Sequence, residues 1–119
     1  MRDMRFDRYR MLSCPFCGRG MEEPVKIQMR FGETTGGRCE CGAVFVYDET
    51  GHQLGDAFND ALALLYGEDY DAAYAAGEGD YEEEIITHEK RSNRYVQDGS
   101  AFGTSPKYLF LKKTNKAQK

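Results

Sequence analysis

Two short cysteine motifs constrain this chain more than anything else in it: "CPFCG" at residues 14–18 and "CECG" at 39–42. Two residues between Cys14 and Cys17 let one tight turn aim both sulfurs at a single point. Pro15 fixes φ inside that turn and Gly18 accepts the positive φ that follows, so nearby backbone N–H groups can point at thiolate sulfur. Cys41-Gly42 ends the second motif in the same way. The 21 residues between Cys17 and Cys39 are enough for the chain to run out and return. Two such turns facing each other make a tetrahedral site of four thiolates.

Zinc fits such a site best, because it takes four soft ligands at ~2.3 Å and needs no open position. The predicted metal ligands are Cys14, Cys17, Cys39 and Cys41. A redox dithiol at Cys14 and Cys17 would need a helix starting at the motif to lower a thiol pKa, and "GRGMEEP" is no helix start. His52 and His88 have no partner at metal spacing and read as turn and strand residues. Arg19 and Arg38, each beside a cysteine turn, are candidates to offset the negative charge of the site.

"CPFCG" followed by "CECG" resembles the zinc-ribbon group, in which two knuckles on hairpin turns grip one zinc. It is also similar to rubredoxin, which holds iron between paired turns of the same kind. The resemblance covers roughly residues 12–48. The first knuckle matches in full; the second has one residue, Glu40, where both groups usually have two. The resemblance implies a metal site and two packed hairpins. It implies no single activity, because ribbons serve as nucleic-acid binders, protein adapters and structural inserts.

Elsewhere the pattern is that of a small α+β domain. "PVKIQMRF", 24–31, alternates apolar and polar residues as a strand with one buried face, and "AVFVYD", 43–48, reads as its partner. "GETTGG", 32–37, reads as a turn-rich loop between them. Phe58, Ala61, Leu62 and Leu65 share one face of a helix with Asp56 as N-cap and Gly67 as stop. "EDYDAAYAAG" repeats the design, with Asp69 as cap, so the pair reads as a helical hairpin over 55–77. "DYEEEIITHEKR", 80–91, and "KYLFLKK", 107–113, read as strands on either side of a long loop, 92–106. The consecutive Glu82, Glu83 and Glu84 read as a solvated acidic edge. The expected fold is thus a zinc-ribbon-like β module (12–48), a helical hairpin (55–77) and a C-terminal antiparallel strand pair (80–113). All three belong to a single domain, 1–119, and the helices and late strands are expected to keep a core of their own if metal is lost.

The chain has 119 residues, 40% of them apolar and 13% aromatic, which is enough for a core. The segment "MRDMRFDRYRM" has no apolar run behind it and does not read as a signal peptide. No stretch approaches the ~18 apolar residues of a membrane span. A cytoplasmic location is therefore expected, where clustered cysteines more often serve metal than disulfides. Charge comes in blocks: +2 over residues 1–47, −13 over 48–89 with no Lys or Arg, and +7 over 90–119. That layout suggests either that the ends fold over the middle or that one face is basic.

The second candidate site is basic and aromatic: Lys90, Arg91, Arg94, Tyr95, Phe102, Lys107 and Tyr108, with Arg91, Arg94 and Tyr95 as the residues expected to meet single-stranded nucleic acid. Cations meet phosphates and exposed rings stack on bases. No phosphate-cradling loop, nucleophile elbow or converging carboxylate pair is recognisable, so nothing in the chain points to an enzyme. The expected function is a small non-catalytic zinc-binding protein, acting as a binding or adapter module for a protein or for single-stranded nucleic acid. The other class kept open is an electron-transfer protein with iron in the same four-thiolate site.

Overall fold

Alternating apolar residues and glycine-set turns shape this chain into one sheet with helices on one side. In the computed structural model, which describes residues 12–30, 32–50, 54–77, 79–89, 94–96 and 106–114, six strands pair antiparallel throughout. They are β1 (Val25–Met29), β2 (Gly32–Arg38), β3 (Val44–Asp48), β4 (Tyr81–Glu89), β5 (Arg94–Val96) and β6 (Lys107–Lys113), in the order β1-β2-β3-β6-β4-β5. Two short helices, α1 (Leu54–Leu65) and α2 (Tyr70–Ala75), complete an α+β domain. No helix among the described residues is long and apolar enough to cross a membrane.

The two faces of the sheet bury different chemistry. On the first, α1 lies against β3 and β6, and Met29, Val44, Val46, Leu109 and Leu111 pack with Ala57, Ala61 and Leu62. The predicted stripe of α1 is widened: Ala63 and Leu64 are also buried. The second face carries Phe45, Ile86, Tyr108 and Phe110, with Leu12 and Cys14 laid over them. Both clusters mix residues from 12–48 with residues from the C-terminal strands. The expected division into a ribbon and a separately cored remainder therefore has no counterpart in the packing.

Several local readings change. The first strand stops at Met29, whose partner across the hairpin is Gly32, and Phe31 lies outside the described residues. "GETTGG" is not a loop but most of β2. Gly36 sits opposite Val46, and a Cβ there would run into the Phe45 carbonyl. Gly37 sits opposite Phe45, whose ring would be 2.7 Å from a Cβ. The glycines are there for close cross-strand approach, and a reading of local turn chemistry mistakes them for a bend. Asp56 lies in the first turn of α1 rather than at its cap, a position still favourable for a carboxylate.

Other readings are matched closely. Gly67 (φ +65°) ends α1: the Glu68 N–H donates to the Ala63 carbonyl (2.7 Å) and the Gly67 N–H to that of Leu64 (3.1 Å), closing the helix end. Asp69 caps α2 by accepting from the Ala72 N–H at 3.1 Å. The segment 92–106 is not wholly loop, since Arg94–Val96 forms β5 against Thr87–Glu89. The acidic run of β4 lies along β6, with Glu82 directly opposite Lys112. The acidic middle and the basic C-terminal block thus meet strand to strand, an arrangement that stabilises by about 0.2–1 kcal/mol per opposite-charge pair.

The glycines give a direct test. Gly36→Ala is expected to destabilise the protein in urea unfolding by about 1–3 kcal/mol, the usual cost of forcing atoms into a packed site. Gly55→Ala, in the first turn of α1 where an added methyl group would meet nothing within 4 Å, is expected to stabilise by about 0.4–1 kcal/mol. Equal effects at the two positions would refute the close-approach account of β2.

Candidate metal centre

The first cysteine motif is the tip of a small hairpin. Ser13 bridges Gly20, and the Met21 N–H donates to the Leu12 carbonyl at 2.7 Å, closing its stem. Inside it, the Cys14 N–H donates to the Arg19 carbonyl and the Gly18 N–H to the Cys14 carbonyl, both at 2.8 Å. The second motif is the tip of the β2–β3 hairpin. Its ladder runs through Arg38 and Val44 to a last bond from the Cys39 N–H to the Ala43 carbonyl (2.8 Å). Three residues, Glu40 to Gly42, make the loop; Gly42 takes φ +104°, and its N–H donates to the Cys39 carbonyl at 3.0 Å. A three-residue hairpin loop with a left-handed glycine is a standard connection. It explains why one residue suffices between Cys39 and Cys41.

These two tips bring together all four predicted ligands. The sulfurs of Cys14, Cys17, Cys39 and Cys41 lie within 4.8 Å of one another. Cys14 and Cys41 are 3.7 Å apart, and Cys17 and Cys39 are 3.5 Å apart. A tetrahedron of sulfurs at ~2.3 Å from a central ion has edges of about 3.8 Å. The cluster therefore fits a metal ion, and the separations far exceed the ~2.05 Å of a disulfide bond. Cys14 is buried, Cys39 and Cys41 are half-buried, and Cys17 is exposed.

The electrostatics of the four thiols are uneven. Burial pushes the Cys14 thiol up to about 12, against N–H donors from Phe16 and Cys17 that favour its thiolate. Burial also raises Cys39, opposed by the Cys41 N–H. The exposed Cys17 goes the other way: the Arg19 N–H pulls it down to about 7. Backbone donors of this kind steady thiolate charge whether or not a metal shares it.

The Arg19 side chain does something sequence reasoning missed. It forms an ion pair with Glu40, the lone residue between the second pair of cysteines, and the two hairpin tips are clasped across the site. Glu40 first, and then Cys17 and Cys39, hold the guanidinium in its charged form. Arg19 thus faces negative charge as expected, with a carboxylate as its nearest partner. No local signal identifies Glu40 for this role, because the contact joins residues 21 apart. Arg38 ends β2 opposite Val44.

The basic–aromatic site is placed differently. Arg91 lies outside the described residues, as do Lys90, Phe102 and His52. Arg94 begins β5, its backbone opposite Glu89. Tyr95 is half-buried, stacked on His88 with ring centroids 4.5 Å apart and planes within 11°. Lys107 and Tyr108, counted in the candidate interface, begin the expected last strand and are buried in β6. Tyr108 instead joins an aromatic row on the second face, 4.8 Å from Tyr47 and 5.9 Å from Tyr95 between centroids.

Comparison with protein-family profiles, characterised proteins and solved structures returns no match to this chain.

A metal ion takes thiolates, so binding must displace the protons of the thiols that hold them. Cys14 and Cys39, both raised, carry theirs at neutral pH in the metal-free chain. Adding zinc to metal-free protein at pH 7 is therefore expected to release two or more protons per ion, read with an indicator dye in weakly buffered solution. The bound form holds fewer protons, so affinity rises with pH, by about a hundredfold per pH unit for two protons. Release of fewer than two protons would contradict the thiol assignments.

Proposed function

We propose that this protein is a small zinc-ribbon-like binding or adapter module whose zinc serves structure. The observation that carries the reading is the closure of the site. Four cysteine sulfurs within 4.8 Å of one another, two pairs of them 3.5 and 3.7 Å apart, would supply every ligand that zinc takes, and a site with no open position does not activate water or polarise a substrate. The ion would be held by Cys14, Cys17, Cys39 and Cys41. Its work would be mechanical, fastening the hairpin of residues 12–21 to the tip of β2–β3. That hairpin covers the second face of the sheet through Leu12 and Cys14, so the metal would support a surface as well as a turn.

Purified protein is expected to be colourless and to contain about one equivalent of zinc. The double variant Cys17→Ser, Cys41→Ser should lose the metal. Chelation should accelerate amide exchange over residues 12–24 and 39–43 while the far-UV signal of the helices persists, because α1 is held by the sheet and not by the site. A red protein containing iron would favour the electron-transfer reading with the same four ligands. Retention of metal by the double variant would sink both.

A further inference from the structure

The aromatic row on the second face borders a cavity of about 480 Å³, within the range of small-ligand sites. One wall is the sheet, through Tyr95 of β5 and Tyr108 of β6. The other is the stem and exit of the first cysteine hairpin, through Leu12, Met21, Glu22 and Glu23. The two rings are inclined at 59° with centroids 5.9 Å apart. Each packs against a further ring, Tyr95 on the stacked His88 and Tyr108 on Tyr47. Tyr108 remains a neutral phenol to high pH, because of burial first and then its neighbours, among them the nearby Glu23 carboxylate.

Among the described lining residues the charged ones are Glu22 and Glu23, both exposed. Fixed tyrosine rings with carboxylates at the rim repel phosphate and attract a cation. Ring faces bind a cation best when it is weakly hydrated and brings apolar surface of its own, which Leu12 and Met21 can cover. We propose that this cavity binds a quaternary ammonium group, held against Tyr95 and Tyr108 where they line it, with Glu22 and Glu23 balancing its charge. The group can arrive on a free small molecule or on a methylated lysine side chain; the recognising chemistry is the same. The inference rests on the binding-module reading in one respect: the metal holds the hairpin whose stem forms the second wall.

The test is a titration of the full-length protein with choline, following the N-methyl proton resonance, which ring currents should shift upfield, and tyrosine fluorescence, which is unobscured because the chain has no tryptophan. The neutral isostere 3,3-dimethylbutanol should bind at least roughly tenfold more weakly, as the charge is the attraction. Tyr95→Leu, which keeps bulk at an outer strand, should weaken choline roughly tenfold or more, and the pair Glu22→Gln, Glu23→Gln should weaken it several-fold. A parallel arm uses a short peptide bearing trimethyllysine. Tighter peptide binding assigns the group to a protein partner, and tighter choline binding assigns it to a small molecule; either supports the site.

The proposal falls if the neutral isostere binds as well as choline, if both sets of variants bind like wild type, or if the wild type binds neither cation. It also falls if single-stranded oligouridine binds in a Tyr95-dependent way while the cations do not. Zinc is assayed in every sample. Zinc-replete protein that ignores both cations overturns this inference alone, whereas protein that binds choline without holding metal overturns the metal reading alone.

Discussion

Strand β3 is hydrogen-bonded on both sides, to β2 through Val44–Val46 and to β6 through all five of its residues. Everything else in the molecule is arranged by that double pairing. One end of β3 leads directly from the second cysteine turn, so the candidate metal centre is anchored to the middle of the sheet. Its side chains then alternate: Val44 and Val46 go to the helix face, and Phe45 goes to the face beneath the first cysteine hairpin. Phe45 also explains the bare backbone opposite it, because its ring and carbonyl leave no room for a Cβ on Gly36 or Gly37. A short strand thus couples the metal end, the helical layer and the aromatic face through one set of hydrogen bonds.

The candidate metal centre shows two opposed effects on thiol chemistry. Burial raises Cys14 and Cys39, and this would leave thiols rather than ligands if nothing else acted. Backbone N–H groups supplied by the tight turns work against it, and at exposed Cys17 they win. A bound metal ion would complete what the turns begin, because its charge would outweigh the desolvation of sulfur. The Arg19–Glu40 clasp lies outside that competition, exposed to water and screened. It joins the two hairpin tips, while affinity for a metal would come from the sulfurs.

The two faces of the sheet divide the work. The helix face is a packed apolar layer. The other face carries the rings Tyr47 of β3, Tyr108 of β6 and, beyond β4, Tyr95 of β5, which are brought into one row by the registers of β3–β6, β6–β4 and β4–β5. It is there that the cysteine hairpin overlies the sheet, and there that carboxylates stand beside aromatic rings over a cavity. If the metal fastens that hairpin, then the shape of the cavity depends on the ion, and ligand binding and metal binding become linked through the stem at Leu12 and Met21.

The two cysteine turns, the helix stop at Gly67 and the cap at Asp69 were legible because each depends on chemistry within a few residues: turn geometry, left-handed φ, a side chain reaching a nearby N–H. The strands 107–113 and 80–91 were legible from their composition. The sequence did not disclose β2, because Gly36 and Gly37 are explained by Phe45, eight or nine residues away and across a strand. Nor did it disclose the clasp at Glu40, or that Lys107 and Tyr108 are buried within their strand rather than offered to a nucleic acid. By itself, then, the sequence determined the four cysteines that come together and the local breaks of the chain. The tertiary structure alone decided which strands are neighbours, which aromatic rings share a face and which carboxylates stand beside them, because those depend on the register of pairings between distant segments and on nothing the segments carry singly.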